Sequence, residues 1–177
     1  MGKKKDVQKN KKKPAKGKAK AERLQAEEPP AKMVAPPASN EHVRKSMQGN
    51  KRRDTKPELV VRHMLRELGY PGYRLDWKKA PGHPDIAYPG RKTCVFVMGC
   101  FWHDHEGCKY ASKPRTHSDY WEEKFRRNKE RDARVRTELE ELGWNVIDIW
   151  ECELKKDRIE ETRARLRREI EHAFIKL

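Results

Sequence analysis

The sequence predicts a mixed α/β domain in which a central β-sheet is flanked by helices. Three segments carry apolar residues at the spacing of an amphipathic helix. Four others are short and apolar or alternating, and most are bounded by glycine or proline, as strands are. Their order is helix, three strands, a polar loop, helix, strand, helix, which favours one sheet with helices on its faces.

The chain divides into a basic tail and a folded domain. Residues 1–40 hold twelve Lys or Arg against four Asp or Glu, and they contain almost no large apolar side chain. Such a segment cannot bury enough apolar surface to offset the entropy lost on ordering, so we expect a disordered tail. The 177-residue length then leaves a single folded domain over residues 41–177.

The charge of the chain favours a polyanionic partner. The net charge is +15, and the part after residue 40 still holds 31 basic against 24 acidic residues. Nucleic acid is the leading candidate, and a solvated basic surface is the alternative. The sequence has no apolar run of about 18 residues and no apolar leader segment, so we expect no membrane span and a cytoplasmic protein.

The first helix follows a capping box. Thr55 is followed three residues later by Glu58, a spacing that lets each side chain bond a backbone N–H at the helix start, and Gly69 ends the helix. The apolar face consists of Leu59, Val60, Met64, Leu65 and Leu68. Glu58 therefore has a structural role with which any catalytic role must compete. Residues 44–53, which precede this helix, form a basic approach segment whose one apolar residue is Met47.

Three strands are expected between this helix and the polar loop. The first runs from Tyr70 to Asp76 and the second covers Ile86–Tyr88. Pro89-Gly90 provides a hairpin turn into the third and most apolar strand, Thr93–Met98. Asp85 stands at the start of the second strand, so the hairpin can bring its carboxylate to the end of the third.

A long helix, a strand and a last helix complete the domain. The long helix runs from Ser118 to about Leu142, the strand covers residues 144–150, and the last helix covers residues 157–175. The inward stripe of the long helix consists of Trp121, Phe125, Asn128, Asp132, Val135, Leu139 and Leu142. A buried carboxylate is unfavourable unless it is paired, so we expect Asp132 to face either a functional site or a buried Arg or His.

The loop after the third strand carries thiols and imidazoles at metal-binding spacing. Cys100, His105 and Cys108 fall within nine residues, and Cys152 follows the last strand. Together they form a Cys3His set suited to tetrahedral zinc, and because the protein fills all four positions the zinc would be structural. The alternative is that these are reduced cysteines without a metal. Cys94 lies inside a strand and is expected in the core.

The same loop also carries aromatic and acid–base candidates. Phe101 and Trp102 are adjacent, and on a basic protein exposed aromatics can wedge between base pairs. Trp121 could join them, although its position favours a core role. Asp85 suits a magnesium site, and His103 could take a proton from an attacking water.

Several of these motifs together resemble the very-short-patch repair (Vsr) endonucleases. The matching stretches are Pro84-Asp85, Val95–His103, Trp121, Asn128-x-x-Arg131-Asp132 and Leu142–Cys152. The likeness extends from about Arg44 to Cys152 and its Gly-Cys-Phe-Trp-His core is specific. It implies the restriction-endonuclease-like PD-(D/E)xK fold with a structural zinc site. It also implies a magnesium-dependent enzyme that nicks DNA 5′ of the thymine of a T:G mismatch, which arises by deamination of 5-methylcytosine.

The resemblance also implies individual roles. Asp85 corresponds to the metal-binding aspartate, and Val97 would give magnesium its backbone carbonyl. Glu58 resembles the glutamate that contacts metal-bound water, His103 the general base, and Asp132 an acidic residue that supports it.

The remaining implied roles concern zinc and DNA. The zinc ligands are Cys100, His105, Cys108 and Cys152. The intercalating aromatics are Phe101, Trp102 and Trp121, and Met47 matches a DNA-contacting residue. The expected partner is double-stranded DNA with a T:G mismatch, mismatch-repair proteins are candidate partners, and we expect a monomer that is nucleoid-associated when bound to DNA.

One position departs from the family pattern. Met98 stands where the family's best-known pattern has a histidine that assists catalysis or binds the scissile phosphate, and methionine can do neither. His83 is a candidate substitute. Two other functions therefore stay open: a nuclease of the same fold that acts on another lesion or on unmodified DNA, and a zinc-stabilised DNA-binding protein that has lost catalysis.

Overall fold

The computed structural model describes residues 33–175, so most of the predicted disordered tail, residues 1–32, lies outside the described part. Helix α1, Glu41–Gly49, was not predicted, because the sequence reading treated this region as an approach segment. Asn40 caps it by accepting a hydrogen bond from the Val43 amide at 2.9 Å. The helix buries none of its residues, so it has no core-facing apolar stripe by which to predict it.

Helix α2 spans Lys56–Glu67 and is capped by Thr55 as predicted, although the Glu58 carboxylate reaches the Asp54 amide rather than the amide of Thr55. The Glu58 amide donates to the Thr55 hydroxyl at 3.4 Å, and that hydroxyl donates to the Glu58 carboxylate at 2.8 Å. The same carboxylate accepts from the Asp54 amide at 3.0 Å. The predicted stop at Gly69 is also confirmed, since its φ of +89° is the left-handed conformation that ends helices.

Four strands form one sheet among the described residues, in the order β1-β2-β3-β4. They are Arg74–Leu75, Ile86–Tyr88, Thr93–Met98 and Asn145–Trp150. The first three strands are antiparallel neighbours, whereas β4 runs parallel to β3. A parallel pair needs a crossover connection, and helix α3, Ser118–Glu141, provides it.

The first strand is shorter than the predicted Tyr70–Asp76. The Tyr70 amide donates to the Leu65 carbonyl at 2.8 Å, so this residue belongs to the end of α2 rather than to the sheet. Pro71 and Gly72 follow, and both residue types are unfavourable inside strands. Only the last part of the predicted segment is left to pair with β2.

The predicted hairpin turn between β2 and β3 has a different form. Pro89–Arg91 is a short 3-10 helix, and Lys92 follows it with a φ of +41°. The Lys92 carbonyl accepts a hydrogen bond from the Asn145 amide at 2.7 Å. The connection therefore also fixes the start of β4 beside β3.

Helices cover both faces of the sheet. One face packs against α2 and against helix α4, Ile159–Ile175, and the other packs against α3. The predicted stripe of α3 is wrong at Leu142, which is 53% exposed because the helix ends one residue earlier. The larger core cluster includes Val61, Met64, Leu65, Ile86, Val95, Ile147, Ile149, Leu166 and Ile170.

The sheet brings the predicted site residues to one edge. Because β3 and β4 are parallel, their carboxyl ends meet there, and the antiparallel β2 begins there. Asp85, just before β2, and the loop that follows Met98 therefore lie close together. Among the described residues, no helix combines the length and apolar character needed to cross a membrane.

Candidate active site and metal centre

A cleft of about 1460 Å³ lies at this edge of the sheet, between the start of α2 and the middle of α3. It is lined by residues from five separate parts of the chain. Among them are all the residues predicted to take part in catalysis or magnesium binding: Glu58, Asp85, Val97, His103 and Asp132. Trp102 lines it as well.

Asp85 and Val97 meet across the β2–β3 pair. The Val97 amide donates to Asp85 Oδ2 at 2.8 Å, and it is the only donor to this carboxylate among residues 33–175. The N–H and C=O of a strand residue point toward the same neighbouring strand, so the Val97 carbonyl also faces the side of Asp85. Carboxylate and carbonyl oxygens are typical magnesium ligands.

The surroundings of Asp85 disfavour its charged form in the absence of a metal. Burial raises its pKa to about 6. The Val97 hydrogen bond lowers the pKa and the negative charge of Glu58 raises it, while the positive charges of His103 and Arg62 oppose the rise. A bound divalent cation would favour the ionised carboxylate.

His103 and Asp132 form a close pair on one wall of the cleft. His103 Nδ1 lies 2.5 Å from Asp132 Oδ2. Burial would raise the pKa of Asp132, but its hydrogen bonds with His103 and Arg131 outweigh burial, and the pKa is lowered. The ionised carboxylate can only accept, so Nδ1 carries the proton, and in the neutral form of the ring Nε2 holds the lone pair that a general base needs.

Glu58 is 7% exposed, and three donors hold its carboxylate. They are the Thr55 hydroxyl on Oε1, and the Asp54 amide and the Arg62 guanidinium on Oε2. Glu58 can therefore serve both roles, because it bonds the residues at the start of α2 and also lines the cleft.

The four predicted metal ligands form one cluster. The ligand atoms of Cys100, His105, Cys108 and Cys152 all lie within 4.8 Å of one another. His105 Nδ1 is 3.6 Å from Cys100 Sγ and 3.5 Å from Cys152 Sγ. Donors of a tetrahedral zinc lie about 3.5–3.8 Å apart, which matches these two distances, while the whole cluster is somewhat wider than a metal-bound one. Burial raises the pKa of the Cys100 thiol, and a bound metal would displace its proton.

The aromatic residues of the loop pack against the start of α3. Phe101 makes edge-on contacts with Trp102, Trp121 and Phe125 at centroid distances of 5.1–5.4 Å. Trp102 is 38% exposed, whereas Phe101 and Trp121 are half-buried and Phe125 is buried. The expectation of two exposed rings is therefore right for Trp102 and only half right for Phe101.

The cleft lining as a whole holds eight basic and nine acidic residues, but its rim over residues 51–56 is basic, with Lys51, Arg52, Arg53 and Lys56. Lys129 and Arg131 on α3 add two further positive charges. Met47 is 38% exposed on α1, two residues before Gly49, where the cleft lining begins. A basic rim beside an exposed aromatic ring is typical of a nucleic-acid interface.

Comparisons with known proteins agree with this geometry. Residues 38–109 match the family model described as "DNA mismatch endonuclease Vsr". The chain is 43% identical over 116 residues to the "Type II nicking enzyme V.XorIIP" of Xanthomonas oryzae, an alignment that covers 66% of this chain and 84% of the relative. The chain belongs to the Vsr family of endonucleases. It is accordingly a DNA endonuclease, a hydrolase of phosphodiester bonds.

Two further members of the Vsr family show the range of the relationship. The "Type II nicking enzyme V.NmeAIP" of Neisseria meningitidis is 45% identical over 122 residues, covering 68% of this chain and 86% of the relative. The "DNA mismatch endonuclease Vsr" of Escherichia coli is 37% identical over 111 residues, covering 63% of this chain and 70% of the relative.

The departure at Met98 from the Vsr pattern lies within the cleft. Met98 is half-buried and lines it, and so does His83, the candidate substitute. His83 has a φ of +50°, its side chain is 54% exposed, and Nδ1 lies 3.8 Å from Asp76 Oδ1. An imidazole is thus present near Asp85, but on the loop before β2 rather than at the end of β3.

Sequence reasoning missed three supporting contacts in this Vsr-family site. Asn128 donates from its amide to the Trp102 carbonyl at 2.7 Å, which explains a buried polar residue on α3. The Trp150 ring stacks on His105 at 3.8 Å. Arg62 bonds Glu58 from one turn further along α2, and its spacing from Glu58 was the available signal.

Proposed function

We propose that this protein nicks one strand of double-stranded DNA 5′ of the thymine in a T:G mismatch, in a magnesium-dependent reaction. The observation that carries the proposal is the shared cleft, in which Asp85 and the His103–Asp132 pair lie beside the exposed Trp102. Family membership supports the same assignment, and we infer the PD-(D/E)xK nuclease fold from both.

The magnesium site fits Asp85 and the Val97 carbonyl. A half-buried carboxylate whose only hydrogen-bond donor among the described residues is a backbone amide gains from a cation that favours its charge. Magnesium, when bound, would neutralise charge that develops on the phosphate and help to orient the attacking water. Glu58 lines the same cleft, where its fixed carboxylate would accept a hydrogen bond from that water.

His103 is proposed as the general base. Its Nε2 would take a proton from the attacking water, and the ionised Asp132 would stabilise the imidazolium that results. The same contact fixes the tautomer and orientation of the ring before the reaction begins. His83 is proposed to contact the phosphate in place of the family histidine at Met98.

The loop that carries His103 is proposed to be held by structural zinc. Three thiolates and one imidazole form a donor set typical of structural zinc, and the four ligand atoms converge on one point. Apart from Phe101 and Trp102, the segment Gly99–Cys108 carries no large apolar side chain, so a metal link to Cys152 would help to fix it against the end of β4.

The aromatic cluster of Phe101, Trp102 and Trp121 is proposed to open the duplex beside the mismatch. Trp102 is the exposed ring, and it packs edge-on against the half-buried Phe101. Unstacking one base step is unfavourable by a few kcal/mol, and a mispaired step is easier to open than a matched one. Met47, exposed on α1, would make a further contact with the DNA.

A second candidate is a nicking enzyme of the same fold with a different target. It is favoured by the relatives whose names describe Type II nicking enzymes rather than mismatch endonucleases. Met98 raises a third candidate, a DNA-binding protein that has lost catalysis.

One experiment separates the three candidates. End-labelled duplexes that differ only in a T:G or a C:G pair are incubated with the full chain, with and without Mg²⁺, over a panel of flanking sequences. Mg²⁺-dependent nicking of the thymine strand at T:G alone is the expected result. Equal cutting of both duplexes would support the second candidate. Tight binding without cutting, unchanged by Asp85→Asn, would support the third.

A further inference from the structure

Arg62 is a buried charged residue in the wall of the cleft to which the proposed function gives no role. It follows Glu58 by one turn of α2 and is 8% exposed. Its guanidinium donates to Glu58 Oε2 at 3.0 Å and to Asp54 Oδ1 at 2.6 Å. Its Nε–H is also buried, without a hydrogen-bond partner among residues 33–175.

The stability of α2 alone does not call for this arrangement. The Thr55 hydroxyl already caps the helix, and the Glu58 carboxylate already accepts from the Asp54 amide. Replacing a whole buried ion pair by well-packed apolar residues is often neutral or stabilising, and an unpaired buried N–H is unfavourable. Apolar residues at both position 58 and position 62 would avoid these costs, whereas removal of Arg62 alone would leave the Glu58 carboxylate buried without its cation. Because both members of the pair line the cleft, the pair points to a requirement of the cleft.

Two carboxylates of the proposed metal site, those of Glu58 and Asp85, line the cleft. The charge of each is unfavourable for the other. Arg62 supplies a positive charge beside them. It also fixes one oxygen of Glu58, so that rotation of this carboxylate would break the bonds from both Arg62 and the Asp54 amide.

We propose that Arg62 is a positioning residue for hydrolysis, which holds the Glu58 carboxylate in one orientation and keeps a positive charge beside the two carboxylates of the metal site. This inference rests on the proposed function, in which Glu58 bonds the attacking water. Arg62 contacts no reacting atom and acts through Glu58.

A double-mutant cycle on the full chain tests the link to Glu58. Single-turnover nicking of a T:G duplex is measured for the wild type, Arg62→Met, Glu58→Gln and the double variant. Arg62→Met should lower the rate about 10- to 100-fold, with DNA affinity within about threefold of wild type. In the Glu58→Gln background the same change should have little further effect. Full additivity of the two losses, or a wild-type rate in Arg62→Met, would overturn the proposal.

Metal affinity gives a readout that does not depend on nicking. Mn²⁺ binding to the zinc-loaded, magnesium-free protein is followed by electron paramagnetic resonance. Loss of a positive charge beside a cation site should tighten Mn²⁺ binding about threefold or more in Arg62→Met, although the enzyme is slower. Arg62→Lys, which keeps the charge, should retain wild-type affinity and recover part of the rate. Unchanged or weaker Mn²⁺ binding in a folded Arg62→Met would show a merely structural role.

Arg163→Met is the matched control. Arg163 on α4 bonds Glu67 on α2 at 2.7 Å, its Nε–H is likewise buried without a hydrogen bond, and it lies outside the cleft. This variant should keep the wild-type rate and Mn²⁺ affinity, and equal losses in both variants would refute a specific role for Arg62. A wild-type chain that nicks no duplex would refute the proposed function, and the Mn²⁺ comparison would still decide whether the charge of Arg62 belongs to the metal site.

Discussion

At the scale of single residues, two carboxylates of the cleft, Asp85 and Asp132, have pKa values shifted in opposite directions. Burial favours the protonated form of both Asp85 and Asp132. At Asp132 the hydrogen bonds with His103 and Arg131 outweigh burial and lower the pKa, whereas at Asp85 burial dominates and raises it. This contrast matches their proposed roles, because one carboxylate orients an imidazole and the other awaits a cation.

Asp132→Asn should slow nicking by about 100-fold or more, since the amide no longer fixes the Nδ1–H tautomer or stabilises the imidazolium. Single-turnover rates on a T:G duplex check this, and DNA affinity should stay close to wild type. The substitution Arg131→Gln is the control, because it keeps the His103 contact. A wild-type rate in Asp132→Asn would show that His103 is not the base.

Asp85→Asn should stabilise the magnesium-free protein at neutral pH while abolishing nicking. Folding raises the pKa of Asp85 from its ordinary 3.8 to about 6, so the folded protein binds the proton more tightly than the unfolded chain. The free energy of unfolding therefore falls as pH rises through this window, by about 3 kcal/mol at most, and stays lower above it.

Thermal unfolding at pH 7.5 and at about pH 3.5 measures this difference, with zinc retained in both proteins at pH 7.5. The variant should have the higher melting temperature at pH 7.5 and none of that advantage at the acid pH, where both the folded and unfolded wild type carry the proton. Added Mg²⁺ should raise the melting temperature of the wild type alone. If Asp85→Asn is less stable than the wild type at pH 7.5, burial does not disfavour the charge of Asp85 as assigned.

At the scale of elements, the sequence predicted what depends on local pattern. The capping box placed α2, and the apolar run of Thr93–Met98 placed the strand from which the site loop leaves. Asp132 was expected to meet a site or a buried partner, and it lies against His103. These features follow from side-chain spacing, which a single sequence displays.

The features that the sequence did not reveal depend on contacts between distant segments. Helix α1 buries no residue, so its capping by Asn40 was the only local signal. Asn128 stood out as polar, but its partner is a backbone carbonyl in the loop, which no pattern identifies. Trp150 meets His105 only because β4 lies parallel to β3.

The loop over residues 99–108, which carries three of the four proposed zinc ligands, should be the part of the fold that depends most on the metal. Its attachments include the Asn128 bond to Trp102, the His103–Asp132 pair and the ligand cluster that reaches Cys152. If the cluster holds zinc as proposed, Cys108→Ser should lose that zinc, lower the melting temperature and slow nicking. Elemental analysis of the purified protein and thermal unfolding measure the first two effects.

Cys94→Ser is the control for this prediction. Cys94 is buried in β3, and it lies outside the group of four residues whose ligand atoms converge. This variant should be destabilised by the buried hydroxyl but should keep one zinc per chain. Zinc retained in Cys108→Ser at wild-type stoichiometry would refute the ligand assignment.

At the scale of the whole molecule, basic charge is divided between the tail and the cleft. Residues 1–32 contain all twelve basic residues of the tail, and the cleft rim carries its own set. Phosphate contacts raise affinity without regard to sequence, whereas the proposed roles of the aromatic rings and the acid–base pair require a positioned mismatch. Removal of residues 1–32 should therefore lower the affinity for DNA without a matching loss in the rate of nicking.

A chain that begins at Met33 should fold and nick a T:G duplex at saturation within about twofold of the full-length rate, since Asn40 and the whole cleft remain. Its affinity for matched DNA at low salt should fall about tenfold or more, and the slope of log K against log salt should become shallower, because fewer phosphates are neutralised. Fluorescence anisotropy across a salt series, with Lys124→Ala in the full chain as a single-charge comparison, measures both quantities. An unfolded or inactive shortened chain would move the domain boundary into the tail, and an unchanged salt slope would show that those basic residues make no phosphate contacts.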